Sequence, residues 1–261
     1  MSGQERWNDL GRRVMSAAVL IVVGGVDVYF GGSIFLAMVL LVVGGMMWEL
    51  SRMTDPRPRP WLDYSFALLA GFCLFLWTVM VWPPIAWAML AVPALGLMAT
   101  LRRDRLAIGL YALGIMVAAS GFLTLRGTGL SAFVWLVLVV VTSDVLGYFA
   151  GRMLGGPKFW AAISPKKTWS GTVAGWIGAG IVGWAFAVWS DVPVALLWLS
   201  PLVALAGQFG DIAESWIKRR AGIKDASNLI PGHGGLLDRF DALLGAMLAV
   251  QVVNLLVQGW A

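Results

Sequence analysis

Residues 130–150 read LSAFVWLVLVVVTSDVLGYFA. Fourteen of these residues pass before the first charge, Asp144, and the run is long enough to cross a bilayer core, which needs roughly 20 mostly apolar residues in helical form. A barrel strand would alternate apolar and polar residues over about 10 positions. This run does not alternate, so it is read as a membrane helix. The same reading outward finds eight more runs, near 14–30, 33–50, 62–82, 84–101, 106–124, 171–190, 193–213 and 242–260. The expected fold is therefore all-α: a polytopic transmembrane helical bundle of about nine helices. It forms one integral membrane domain over 1–261, in which 1–125 supply scaffold and lipid access and 126–261 supply the catalytic helices and cytoplasmic loops.

Composition agrees. The chain of 261 residues is 59% hydrophobic and 13% charged, against about 25% charged in a soluble domain. Such a chain cannot cover a water-facing surface, which excludes an ordinary cytosolic enzyme and a disordered chain. The single cysteine, Cys73, excludes a disulfide framework. The polar start MSGQERWNDLGRR is read as retained, with no removable signal peptide.

Placing the N-terminus in the cytoplasm and alternating sides puts every basic residue except Arg126 on the inside, as the positive-inside rule requires. That explains the net charge of +5 without nucleic acid. Trp48, Trp61, Trp82, Trp189 and Trp260 fall at expected helix ends, where interfacial anchors belong. Outside turns are short (30–33, 82–84, 190–193). The two long loops, 151–170 and 214–241, are both inside, so chemistry is expected at the cytoplasmic face.

Ionisable residues at membrane depth need a reason. Asp144, Tyr148 and Arg152 share one helical face, either as a helix-end anchor or as part of a site. In GDIAESWIKRR, Asp211, Glu214, Ser215 and Lys218 form one polar stripe; a solvated helix end with a Glu214–Lys218 pair is the plainer account. PGHGG, with His233, Gly234 and Gly235, is a tight loop whose N–H groups can approach an anion. Asp238 and Asp241 follow at the start of the last helix, where the helix dipole alone favours one carboxylate. On this topology Asp144, Asp211, Asp238 and Asp241 reach one cytoplasmic level. Carboxylates at one depth repel unless cations hold them, and hard oxygen ligands meeting phosphates describe a Mg²⁺ site. Lys166 and Lys167, between Pro165 read as helix-ending and the polar Thr168 and Ser170, surround this centre with Lys218, Arg219, Lys224 and Arg239. Acids that bind metal inside a ring of Lys and Arg suit phosphoryl or nucleotidyl transfer. Topology alone also accounts for the basic loops.

The run Ser215-x-x-Lys218-Arg219, Lys224-Asp225, Pro231-x-His233-Gly234-Gly235-x-x-Asp238-Arg239-x-Asp241 resembles the signature of the phosphatidate cytidylyltransferases. Gly210-Asp211-x-x-Glu214, Ser164-Pro165-Lys166-Lys167-Thr168-Trp169-x-Gly171, and Asp144 with Gly147-Tyr148 and Gly151-Arg152 resemble the family too. Ser170 stands where many members carry Glu. The resemblance covers about 144–245 and implies the reaction of CTP with phosphatidate, giving CDP-diacylglycerol and pyrophosphate. It implies Mg²⁺ as cofactor, alone or with a second cation, bound by Asp211, Asp238 and Asp241, which with Lys218 would be the catalytic set. Lys166, Lys167, Lys218, Arg219 and Arg239 would hold CTP phosphates or the lipid head, and Ser215 a cation or a phosphate oxygen. Ser164, Thr168, Lys224, His233, Gly234, Gly235 and Asp144 would complete the substrate site. The implied setting is the bacterial cytoplasmic (inner) membrane, with the site facing the cytoplasm. Membrane lipids and a homodimer are the expected partners, and nucleic acid is not.

Two other classes compete. CDP-alcohol phosphotransferases carry Asp-Gly and Ala-Arg ahead of Gly-x-x-x-Asp-x-x-x-Asp, a string absent here. A cation- or proton-coupled transporter would use Asp27, Asp144 and Asp211 as a path, yet no inverted repeat is visible and the polar residues crowd one face.

Overall fold

The computed structural model describes residues 3–57, 59–100, 102–190 and 195–258. Among these lie nine helices, α1 (Gly3–Phe30), α2 (Gly32–Thr54), α3 (Pro60–Val79), α4 (Pro83–Ala99), α5 (Arg105–Thr128), α6 (Leu130–Leu154), α7 (Trp169–Trp189), α8 (Ala195–Arg220) and α9 (Leu237–Gln258). A two-stranded antiparallel hairpin, β1 (Lys158–Trp160) and β2 (Ser164–Thr168), joins α6 to α7. The expected anchor Trp260 and the turn at 190–193, apart from Ser190, lie outside the described residues.

Six helices, α2, α3, α5, α6, α7 and α9, are long and apolar enough to cross a membrane by length and composition. The protein is an all-α polytopic membrane protein. The 17 residues of α4 reach only about 26 Å at 1.5 Å per residue. Charges in the C-terminal half of α8 interrupt its apolar run.

The chain divides into two compact units, Met1–Leu123 with Arg220–Phe240, and Thr124–Arg219 with Asp241–Ala261. In the first, α2 packs on α3 and α3 on α4. A Cβ on Gly44 would lie 3.3 Å from the carbonyl oxygen of Ala67, so α2 and α3 meet through backbone. Met47, Leu50, Leu74, Leu90 and Leu97 are fully buried there. Arg102, expected only as an inside charge, is buried. Its guanidinium donates to the Ser51 carbonyl, to Ser51 Oγ (2.9 Å) and to Thr54 Oγ1 (2.8 Å), and Ser51 Oγ donates to Asp63 Oδ1 (2.6 Å).

In the second unit α6 packs on α7, with Gly147 and Gly171 backbone to backbone: a Cβ on Gly147 would lie 3.3 Å from the Gly171 oxygen. Within 151–170, where the sequence reading expects a plain loop, residues 158–168 form a hairpin between the end of α6 and the start of α7. Gly155, with φ of 62°, ends α6, a usual place for glycine. Pro165 lies in β2 and ends no helix, which a two-stranded sheet permits because it is all edge. Phe159 seats the hairpin, its ring centroid 4.8 Å from Trp169 and 6.4 Å from Phe209.

Candidate active site

The site in the second unit starts from a helix crossing. A Cβ on Gly210 of α8 would lie 3.0 Å from the Cα of Gly245 on α9, and would strike the Asp241 carbonyl. With no side chain between them, the helices bring Asp211 and Glu214 of α8 beside Asp241 of α9. One oxygen from each of the three carboxylates lies within 4.8 Å of the others. At that separation two like charges repel by roughly 3–4 kcal/mol at an effective dielectric of about 20, so the cluster needs cations.

Two lysines supply part of the balance. Lys167, from β2, forms an ion pair with Asp211 Oδ2, and Lys218 pairs with Glu214 one turn back on α8. Glu214 has no exposed surface. Ser215 Oγ donates to Asp211 Oδ1 at 3.3 Å, and Asp241 Oδ1 accepts the Ala242 N–H at 2.7 Å. Asp144 lies within electrostatic reach of Lys167, Asp211 and Asp241. Four carboxylates thus share this region with two ammonium groups.

Beside Lys167 opens a cavity of about 420 Å³ between α6, α7, β2 and α8. Asp144, Tyr148, Arg152, Lys166, Lys167 and Thr168 line it with Ser143, Thr172 and Gln208. Arg152 Nη1 donates to Tyr148 Oη (2.8 Å), so this pair, rather than an Asp144–Arg152 pair, occupies the shared face of α6. Thr168 caps α7 by accepting the Gly171 N–H (3.3 Å) and holds Ser170 Oγ at 3.0 Å; Ser170 also donates to the Gly155 carbonyl. Gln208 Nε2 donates to Ser143 Oγ at 3.3 Å, and Trp176 Nε1 donates to Gln208 Oε1 at 3.1 Å. This fixes the amide at the cavity floor.

Of the residues expected from sequence, Asp144, Lys166, Lys167, Thr168, Asp211, Ser215, Lys218 and Asp241 fall on this cluster or its cavity. Ser164 starts β2, and Arg219 is an exposed residue near the end of α8. Asp238, Lys224, His233, Gly234, Gly235 and Arg239 belong to the first unit. Asp238 was expected among the metal ligands. Its Oδ2 accepts the N–H groups of Ala226 (2.8 Å) and Gly235 (2.7 Å), while the carboxylates that converge in the second unit are those of Asp211, Glu214 and Asp241. Arg239 Nε donates to the His233 carbonyl at 2.9 Å, and Lys224 is exposed.

The sequence reading gave Glu214 no ligand role, although its i,i+3 spacing from Asp211 was a visible signal. Gln208 and Ser143 had none beyond being polar within apolar runs. Glu49, buried on α2, was missed altogether.

The sequence matches the model of the cytidylyltransferase family over residues 11–258. A phosphatidate cytidylyltransferase of Brucella abortus biovar 1 (strain 9-941) is 44% identical over 147 residues, 54% of this chain and 53% of that protein. One from Helicobacter pylori (strain J99) is 31% identical over 267 aligned positions, 95% of this chain and 93% of that protein. One from Staphylococcus saprophyticus is 37% identical over 151 residues, 56% of this chain and 57% of that protein. The chain spans about half the length of the Brucella relatives it matches.

Proposed function

The chain belongs to the cytidylyltransferase family, and on that premise we propose that it transfers the cytidylyl group of CTP to membrane phosphatidate, giving CDP-diacylglycerol and pyrophosphate. The observation that carries the proposal is the convergence of Asp211, Glu214 and Asp241, flanked by Lys167 and Lys218.

The donor set fits Mg²⁺. Three carboxylates offer hard oxygen ligands, and a divalent cation between them would relieve their mutual repulsion. Asp211, Glu214 and Asp241 would hold it. When bound, it would neutralise charge on the phosphates and polarise the bonds to the α-phosphorus. The rest falls to this chain's own residues.

A phosphate monoester is already ionised near neutral pH, so the attacking oxygen needs no strong base. That suits a cluster without histidine or cysteine. One P–O bond forms between the lipid phosphate and the α-phosphorus, and the α–β bridging P–O bond breaks, releasing pyrophosphate. The task is to bring polyanions together and hold them in line. Lys167 and Lys166 at the cavity mouth would carry phosphate oxygens, with Lys167 shared between Asp211 and substrate. Lys218 would hold Glu214 in place by their ion pair. The apolar outer faces of α6 and α7, with Val145, Phe149, Val173 and Ile177 exposed, would let acyl chains stay in the bilayer while the head group enters. We place the reaction at the cytoplasmic face of the bacterial inner membrane, because nearly all the basic residues gather on one predicted side.

The test is labelled CTP with phosphatidate in detergent micelles, with and without Mg²⁺. A CDP-lipid formed only with the metal supports the proposal. Absence of that product from folded protein under both conditions overturns it.

A further inference from the structure

Two cations on the cavity of the second unit are not neutralised by an acid. Arg152 and Lys166 both line that cavity, and both are exposed. Among the described residues neither has a carboxylate within ion-pair distance, whereas Lys167 is held by Asp211. Asp144, the acid on the lining, lies within reach of Lys167. The Arg152 guanidinium has a neutral partner, the Tyr148 hydroxyl, to which Nη1 donates at 2.8 Å. An arginine near the end of a membrane helix ordinarily stretches outward to water. Arg152 reaches the other way, one turn back along α6 toward its membrane-spanning part, and Tyr148 takes only one of its five N–H donors.

Gly171 and Thr172, in the first turn of α7, line the same cavity, where the helix dipole adds positive potential. The lining around Arg152 therefore suits an anion. Its neighbours on α6 say what the anion is attached to. Asp144, Tyr148 and Arg152 form one row on the helix, and Val145, Phe149 and Met153 form the next, about 100° round the axis. All three residues of the second row are exposed. A ligand held at Arg152 thus has an apolar, bilayer-facing strip beside it, which fits alkyl chains and not a ribose and base.

We infer that Arg152 and Lys166 form a subsite for the phosphate monoester of a diacyl lipid, with Tyr148 as the positioning residue that fixes the guanidinium. The inference rests on the function proposed above for its effect on turnover, but not for binding. A phosphate monoester carries up to two negative charges near neutral pH, which two unpaired cations match and the single charge of a phosphodiester does not. A planar guanidinium grips phosphate through paired N–H groups, so its aim matters as well as its charge. Lys166 adjoins Lys167 in β2, which places the subsite beside the acidic cluster.

Binding without CTP tests this. Purified full-length protein in detergent micelles is titrated with dioctanoyl phosphatidate, dioctanoyl phosphatidylglycerol and inorganic phosphate. The wild type should bind phosphatidate at least about tenfold more tightly than either of the others. Arg152→Gln should weaken phosphatidate binding by about ten- to a hundredfold and erase the preference over the diester. Arg152→Lys should recover part of the affinity, and Tyr148→Phe should lose several fold. With both substrates varied, the KM for phosphatidate should rise in Arg152→Gln while that for CTP stays put. Lys166→Gln carries the same expectation and serves if Arg152→Gln does not fold. Unchanged phosphatidate affinity in the folded variants overturns the subsite. A raised KM for CTP alone gives the cations to the nucleotide and overturns it too, and inorganic phosphate bound as tightly as phosphatidate removes the lipid from the assignment. A wild type that shows the Arg152-dependent preference yet forms no CDP-lipid would sink the proposed function and leave the subsite standing.

Discussion

Gly210 and Gly245 bring α8 and α9 together with nothing but backbone between them: a methyl group added to either would come within 3.0 Å of the other's Cα. The acidic cluster exists because of this contact. Gly210→Ala and Gly245→Ala should each destabilise the protein by about 1–3 kcal/mol through overpacking. Turnover should fall further than stability does, because Asp241 is pushed away from Asp211 and Glu214. A variant with lowered melting temperature but normal kcat would show that the cluster tolerates the separation.

Asp211→Asn, Glu214→Gln and Asp241→Asn should each lower kcat by at least about a hundredfold while the protein remains folded and extractable. Asp238→Asn should act differently, loosening residues 226–235 through its lost N–H contacts. Titration of activity with Mg²⁺ separates the two: the first three variants should shift the metal requirement, and Asp238→Asn should leave it in place. A shifted requirement in Asp238→Asn would return that residue to the metal site.

Lys218 pairs with a carboxylate that has no exposed surface. Removing one partner of such a pair leaves an uncompensated buried charge, so Lys218→Met should cost about 3–5 kcal/mol. The double variant Lys218→Met with Glu214→Gln should recover much of the melting temperature and none of the activity. Equal melting temperatures for the single and double variants would mean the charges are not coupled.

Asp55 follows the end of α2. Burial pushes its carboxyl up, but the Arg57 N–H, the Arg59 guanidinium and the Arg102 charge together hold it below the ordinary carboxylate range. A carboxylate lowered on folding adds stability above its unfolded value and loses it as pH falls through the folded value. Melting temperature should therefore drop as pH falls below about 4, and Asp55→Asn should flatten that part of the curve. Parallel curves would remove Asp55 from the acid response.

The helices were legible because lipid leaves a backbone no other partner than itself, so a run such as 106–124 declares its own structure. Asp211 and Asp241 were legible because their cost at membrane depth demands an explanation. The hairpin at 158–168 was not: Phe159 settles it by packing on Trp169 and on Phe209, and the second of these is 50 positions away. Glu214 looked like half of a helix-surface pair until its burial was seen. Asp238 could be a dipole-favoured acid or a ligand by spacing alone, and the loop N–H groups of Ala226 and Gly235 on its Oδ2 left no trace along the chain. Arg102 and Glu49 were opaque for a common reason. Each has its partners on another segment, Ser51 for one and Leu236 for the other, and charge or periodicity along the chain carries no trace of that.

Thr168 has two positions at once, the last residue of β2 opposite Lys158 and the cap of α7. Lys167 is therefore locked in phase with a helix on one side and a ladder on the other. An epitope tag spliced between Ala161 and Ala162 would lengthen only the hairpin tip. A single residue spliced between Lys167 and Thr168 would throw the strand by half a pleat and swing the ammonium to the opposite side, away from Asp211.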